Sequence, residues 1–279
     1  MKVARALTET AERLAGAGCD SPGVDAEILV AYVLGRLSRS ELALAPSRKL
    51  SRAEEATLEG LVKRREGREP LAYVLGEWGF RRLTLTVDPR VLVPRPETEV
   101  VVERCLVRLA GLAEPCVLDV GTGSGAIALA IADEHPGARV TAVDASPGAL
   151  DVAGANALRT GLTIELREWD LYTGLPLGPW DLVVANPPYV LPEEIEALEP
   201  EVRDWEPRGA LVGVGATEAV ARGALDVLGP GRALVLEVAA GDAARVAAML
   251  LDIGYGDVVA TQDLAGRDRV VEGVTPSDH

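Results

Sequence analysis

Histidine is almost missing from this sequence: there are two, His135 and the terminal His279. Zinc catalysis, a Ser-His-Asp triad and a histidine general base therefore have little to build on, and no metal site is expected. Cysteine is scarce as well. Cys19, Cys105 and Cys116 form no C-x-x-C pair, and an odd number closes no disulfide framework, so they read as reduced thiols of a cytoplasmic protein. Aromatic residues make up 4% of the chain, with Phe80 the single phenylalanine, so the core has to be aliphatic. No apolar run reaches the length of a membrane span, and the opening Met1 to Leu14 carries acids through its apolar pattern, which suits a helix better than a cleaved signal. Basic residues are outnumbered, 28 Lys and Arg against 43 Asp and Glu. The formal net charge of −15 argues against a stable grip on nucleic acid through its phosphates.

What is present suits a large domain with a smaller one attached: 279 residues, 48% of them hydrophobic. Residues 1–72 read as helical. Asp25 to Leu34 spaces its apolar residues as a helix does, and Ser51 with Glu54 makes an S-x-x-E start for another helix toward Arg65. Between 73 and 95 the pattern changes. Leu83, Leu85 and Val87 alternate with polar residues, and Asp88-Pro89-Arg90 suits a turn before Val91, so this stretch reads as a β-hairpin linker. From 96 to 279 short apolar runs alternate with helical stretches: Cys116 to Val120, Arg139 to Asp144, Ile164 to Arg167, Leu182 to Ala185 and Ala233 to Val238 as strands. That rhythm predicts an α/β domain with a Rossmann-like, mostly parallel sheet. Asp257 to Thr261 and Arg269 to Val274 have no helix between them and read as a closing antiparallel hairpin.

Two motifs carry chemistry. The first strand runs into Asp119-Val-Gly121-Thr122-Gly123-Ser124-Gly125, with a helix following. Glycines there let the backbone turn sharply and approach a ligand, while the helix start offers free N–H groups. Asp144 ends the next strand, 23 residues after Gly121, where a carboxylate accepts hydrogen bonds from ribose hydroxyls. Together they point to an adenosine-containing cofactor; the loop alone equally fits a dinucleotide.

The second motif is Asn186-Pro187-Pro188-Tyr189, closing an apolar strand at the carboxyl edge of the sheet. A planar amide or amino nitrogen is a poor nucleophile because its lone pair is delocalised. Two acceptors aimed at its N–H groups, the Asn186 side-chain oxygen and the Pro187 carbonyl, would hold it and relieve that delocalisation. The proline pair stiffens the turn. Tyr189 offers a flat face for a planar group and a negative π cloud for a nearby cationic sulfonium. Such a site transfers a methyl group by positioning, with Asn186, Pro187 and Tyr189 as the catalytic residues and Pro188 completing the substrate site.

At this point the chain resembles the release-factor glutamine methyltransferases, the HemK family. Pro70 to Tyr73 and Gly76 to Phe80 look like the family's linker, Val93-Pro-Arg95-Pro-Glu97-Thr-Glu99 like its PRPETE signature, and Glu206-Pro207 with Ala210-Leu211 like its E-P-x-x-A-L segment. The resemblance implies S-adenosyl-L-methionine as cofactor, and as substrate the side-chain nitrogen of the Gly-Gly-Gln glutamine of class I peptide chain release factors, with the helical N-terminal domain helping to dock them. By position it gives Gly121 to Gly125 the methionine part of the cofactor, Asp144 the ribose, Leu171 the adenine, and Asn186 contact with both cofactor and substrate; Trp169 is left to core packing. The chain departs from the family at Gly241-Asp242, where a Gln is usual, and at Glu237-Val-Ala, where E-I-G is usual.

The alternative reading is an adenine-N6 methyltransferase acting on DNA or RNA, which shares the NPPY corner; the acidic balance and the lack of a basic recognition domain stand against it. An NAD(P) oxidoreductase leaves NPPY without a task, and a non-enzymatic binding module leaves Asn186 and Tyr189 without one. Arg95, Glu97 and Glu99 read either as solvated helix-start charges or as pocket contacts. Arg64, Arg65 and Arg68 read as surface charges. The acidic run Glu193, Glu194, Glu196, Glu199 and Glu201 reads as a solvated face, or as a mobile lid.

Overall fold

The computed structural model describes residues 1–277; Asp278 and His279, the end of the 96–279 span, lie outside the described residues. Helices dominate the first unit, which comprises Met1–Glu77 together with Leu198–Trp205. They are α1 (Val3–Gly16), α2 (Pro22–Val33), α3 (Arg39–Leu44), α4 (Arg52–Glu66) and α5 (Leu71–Leu75). Helix α1 buries Val3, Ala6, Thr10 and Leu14, the one-sided spacing of an amphipathic helix. Helix α4 opens on the capping box legible in the sequence. Ser51 Oγ accepts from Glu54 N at 3.2 Å, and Glu54 Oε2 accepts from Ser51 N at 2.6 Å, an arrangement worth about 1 kcal/mol.

Of the arginines read as surface charges, Arg64 is exposed although it is paired, whereas Arg65 is not at the surface. Arg64 bonds Glu69 and the carbonyls of Tyr73 and Val74, and Arg65 is buried against Asp25. Local pattern could not reveal this, because Asp25 lies 40 residues away.

The second unit opens, at Trp78, within a hairpin that pairs β1 (Glu77–Phe80) with β2 (Leu83–Thr86). Its turn falls at Arg81-Arg82, earlier than the alternation suggests. Asp88 to Val91 does form a turn, through Val91 N to Asp88 O at 3.1 Å, but no strand follows it. Phe80 and Leu85 drop from this hairpin into the core.

After α6 (Thr98–Leu109) come β3 (Cys116–Val120), α7 (Ala126–Glu134), β4 (Arg139–Asp144), α8 (Pro147–Thr160), β5 (Glu165–Glu168) and β6 (Trp180–Ala185). The short helices α9 (Pro200–Arg203) and α10 (Arg208–Leu211) then lead to α11 (Ala216–Val227), β7 (Leu228–Glu237), α12 (Ala243–Ile253), β8 (Gly256–Gln262) and β9 (Asp268–Val274). The sheet order is β5-β4-β3-β6-β7-β9-β8. The first five strands run parallel, and β9 pairs antiparallel with both β7 and β8. The α/β class and the antiparallel C-terminal pair thus match the sequence reading. One sheet face packs under α6 and α7, the other under α11 and α12. Residues Ala126 to Ile131 of α7 are all buried, which explains a helix apolar on every side.

Candidate active site

Three motifs far apart in sequence meet because of strand register. Val120 of β3 stands level with Val143 of β4 and with Ala185 of β6. Gly121, Asp144 and Asn186, each one residue further, therefore sit side by side at the carboxyl edge. Here β3 has its neighbours on opposite sides, the switch point at which open α/β sheets bind ligands.

The glycine loop is pinned at both ends. Gly121 N and Thr122 N donate to Val143 O at 2.8 and 3.0 Å, and Gly125 N donates to Thr122 O at 2.8 Å. Gly121, Gly123 and Gly125 take φ of 74°, 55° and 80°, left-handed values that side chains resist. At Gly125 a Cβ would also meet Leu129 and Ala153 at 3.2 and 3.3 Å, so the loop lies hard against its own helices. Thr122 donates its hydroxyl to Asp119 Oδ2 at 2.6 Å. Asp119 is fully buried, and burial, against the Thr122 hydroxyl, lifts its carboxyl to about 7. Asp144 Oδ2 accepts from Gly123 N and Oδ1 from Ser146 N, both at 2.9 Å; burial raises this carboxyl despite those bonds. Asn156, missed by the sequence reading, holds the loop from behind: its amide donates to Ser124 O at 2.9 Å and to Thr86 O at 3.0 Å. The available signal was a polar residue at helical spacing from Ala149, Val152 and Ala153, on the face of α8 that is buried.

These elements wall a cleft of about 450 Å³. Gly121, Thr122, Gly123 and Ser124 line it, as do Asp144, Leu171, Asn186 and Pro188; Gly125, Pro187 and Tyr189 do not. Pro187 is buried and Tyr189 is 36% exposed. Trp169 also lines the cleft, and it packs on the core while donating its indole N–H to Gly174 O at 2.8 Å. The donor loop, the carboxylate at the end of β4 and the apolar wall of Leu171 and Trp169 match the three parts of an adenosyl amino acid.

The Asn186–Tyr189 turn is braced from outside. Val190 N donates to Leu211 O at 2.9 Å, and Val190 bridges Val212 in parallel. Gly213 packs so closely that a Cβ on it would fall 2.4 Å from Pro188 Cγ. Arg95 lines the cleft and donates to both oxygens of Glu206 at 2.7 Å, a buried carboxylate whose pKa is raised by its burial although Arg95 opposes this. Glu97 pairs with Arg267 at 2.9 Å, and Glu99 accepts from Arg81 N at 2.9 Å. The acids and arginine at 95–99 are thus engaged, not solvated. Glu237 follows Leu236, which stands level with Ala185, so it lies next to Asn186 on the sheet edge. Its burial lifts its carboxyl to about 7, with Thr98 and Arg269 acting the other way. Among the described residues no group of acids, cysteines and histidines is arranged to hold a metal.

Fold, glycine loop, the Asp144 carboxylate and the NPPY turn are those of an S-adenosylmethionine-dependent methyltransferase. Residues 5–76 match the PrmC N-terminal domain, and residues 98–199 match the methyltransferase small domain. The release factor glutamine methyltransferase of Caulobacter vibrioides is 39% identical, over 98% of this chain and 96% of its own length. That of Geobacter sulfurreducens is 40% identical over 97% and 96%. The chain belongs to the release factor glutamine methyltransferase family. The fold alone is shared with the Thermus thermophilus 16S rRNA N2 G1207 methyltransferase, solved with its methyl donor and guanosine (TM-score 0.52, 17% identity, 71% of this chain and 49% of that one).

Proposed function

We propose that this enzyme methylates the side-chain amide nitrogen of the Gly-Gly-Gln glutamine in class I peptide chain release factors, in the cytoplasm, as a step that tunes translation termination. The observation that carries this reading is the NPPY turn set beside the cofactor cleft in a chain of this family. When bound, S-adenosyl-L-methionine supplies an electrophilic methyl group. The chain supplies the rest. Gly121 to Gly125 and Asp144 hold the cofactor's polar ends, and Leu171 covers its base. The Asn186 side-chain oxygen and the Pro187 carbonyl accept the two N–H bonds of the glutamine amide, turning its lone pair toward the cleft. Pro188 fixes the turn, and Tyr189 stacks on the planar group. No base is required, because an N-protonated amide is acidic enough to release its proton to water. Positioning of this kind is worth up to roughly 7–11 kcal/mol. The helical unit helps to dock the release factor. Adenine-N6 methylation is not favoured by the relatives, and the net charge of −15 offers nucleic acid no evident grip.

The test uses radiolabelled S-adenosylmethionine with a release factor, its Gly-Gly-Ala variant, and DNA. Label should appear on the unaltered release factor alone; label on DNA refutes the assignment. Asn186→Ala should lower turnover by about 10²–10³-fold, as loss of a positioned polar group does in other enzymes, with cofactor binding retained. Turnover that survives this change removes Asn186 from its role.

A further inference from the structure

The chain leaves the substrate turn at Val190 and returns to it at Val212, and the excursion between them is not a free loop. Its ends are joined by the Val190–Leu211 hydrogen bond and the Val190–Val212 bridge. Its middle, Leu198–Trp205, belongs to the helical unit. Inside that unit Glu201 Oε1 accepts from Arg65 Nη1 at 2.7 Å and from Arg68 Nε at 2.6 Å, and Oε2 accepts from Arg68 Nη2. Arg65 in turn binds Asp25 at 2.8 Å and Glu69 O at 3.2 Å, and Arg68 binds Gly18 O at 2.7 Å. Two acids and two arginines close the cluster, with Asp20 and Glu199 near enough to act on Arg68 and Glu201. Arg68 adopts φ of 60°, a left-handed value an arginine keeps only where its surroundings enforce it.

The other acids of the run differ. Glu193, Glu194, Glu196 and Glu199 are exposed, and Glu194 caps Leu191 N locally. The side chain of Glu201 is 13% exposed, and its pKa is lowered although burial pushes it upward, because the two arginines outweigh burial. Apolar residues would stabilise such a spot as well as a buried ion cluster does; what ions add is register.

We infer that Glu201 is a positioning residue: by holding the middle of the 190–212 excursion, it keeps closed the Val190–Leu211 pairing that braces the Asn186–Tyr189 turn. The kinetic readout rests on the methyl-transfer reading above, so a second readout is independent of it.

The experiment compares full-length wild type with Glu201→Gln, which keeps shape and removes charge. In hydrogen exchange the Val190 amide should exchange at least about 10-fold faster in the variant, since local opening governs such rates. With a release factor as substrate, kcat should fall about 10–100-fold, the effect of a displaced reacting group, while KM and cofactor affinity stay near wild type. Returning the charge by Glu201→Asp should recover part of both effects. If Glu201→Gln does not fold, Arg68→Gln tests the same link, with Arg65 still paired to Asp25 and Glu201. Unchanged Val190 exchange overturns the inference even if activity falls. Faster exchange with unchanged kcat overturns it too. Should the wild type label no release factor, the function fails, and Val190 exchange alone still decides the role of Glu201.

Discussion

Gly213→Ala should damage catalysis although ordinary propensity favours it. Gly213 is not among the residues with left-handed φ, so its backbone accepts alanine, and the loss of chain freedom in the unfolded state should by itself favour the variant by about 0.4–1 kcal/mol. Space is the obstacle. The added Cβ would lie 2.4 Å from Pro188 Cγ, 2.8 Å from Pro188 O and 2.9 Å from Pro188 Cβ. Carbon atoms sit comfortably at about 3.5–4.0 Å, so something must move by roughly 1 Å. Neither the proline ring nor its carbonyl can swing away as a long side chain would. If the turn moves, a misplacement of about 1 Å lowers kcat by up to roughly 10²-fold. If instead the 211–213 segment moves, the strain appears as about 1–3 kcal/mol of lost stability. Steady-state turnover, cofactor titration and urea unfolding on the same preparation separate the two. Wild-type kcat together with wild-type stability would refute the claim that Gly213 braces the NPPY turn.

Asp144→Ala removes the acceptor of Gly123 N and Ser146 N as well as the carboxylate proposed to hold the ribose. Each charged hydrogen bond is worth about 1.5–3 kcal/mol, so cofactor affinity should fall at least about 10-fold by calorimetry; affinity within twofold would show that Asp144 only shapes the loop. Asp119 bears on pH. Its folded-state pKa, about 7, lies above the ordinary carboxyl value, so its protonated form is the one the fold favours, and that contribution is full below about pH 4 and lost as pH rises toward 7. Glu237, also lifted to about 7, acts in the same sense. Asp119→Asn should therefore lose less stability than wild type between pH 5 and 7.5 in denaturant titrations, and parallel curves would contradict the buried-acid reading.

The parallel strands could be read from sequence because strands buried on both faces are nearly unbroken apolar runs, as in Cys116-Val-Leu-Asp-Val. The glycine loop, Asp144 and the NPPY turn were legible for a related reason: each requires residue types that ordinary packing does not. The first hairpin strand was not, because Glu77-Trp-Gly-Phe80 buries only Phe80 and shows no alternation. Arg65–Glu201 spans 136 positions and Arg95–Glu206 spans 111, and such pairs leave no periodic trace along the chain. The acidic run looked uniform for the same reason: nothing local distinguishes Glu201 from Glu196. Gly213 gave no warning either, since its importance lies in the proline ring it touches.

Residues 198–205 also make the helical unit hard to discard. A shortened gene starting near Trp78 would still encode those eight residues, now without the helices they pack on and with Glu201 deprived of both arginines. Removing the helices by truncation would thus leave the excursion after the NPPY turn with a charged, unpaired middle.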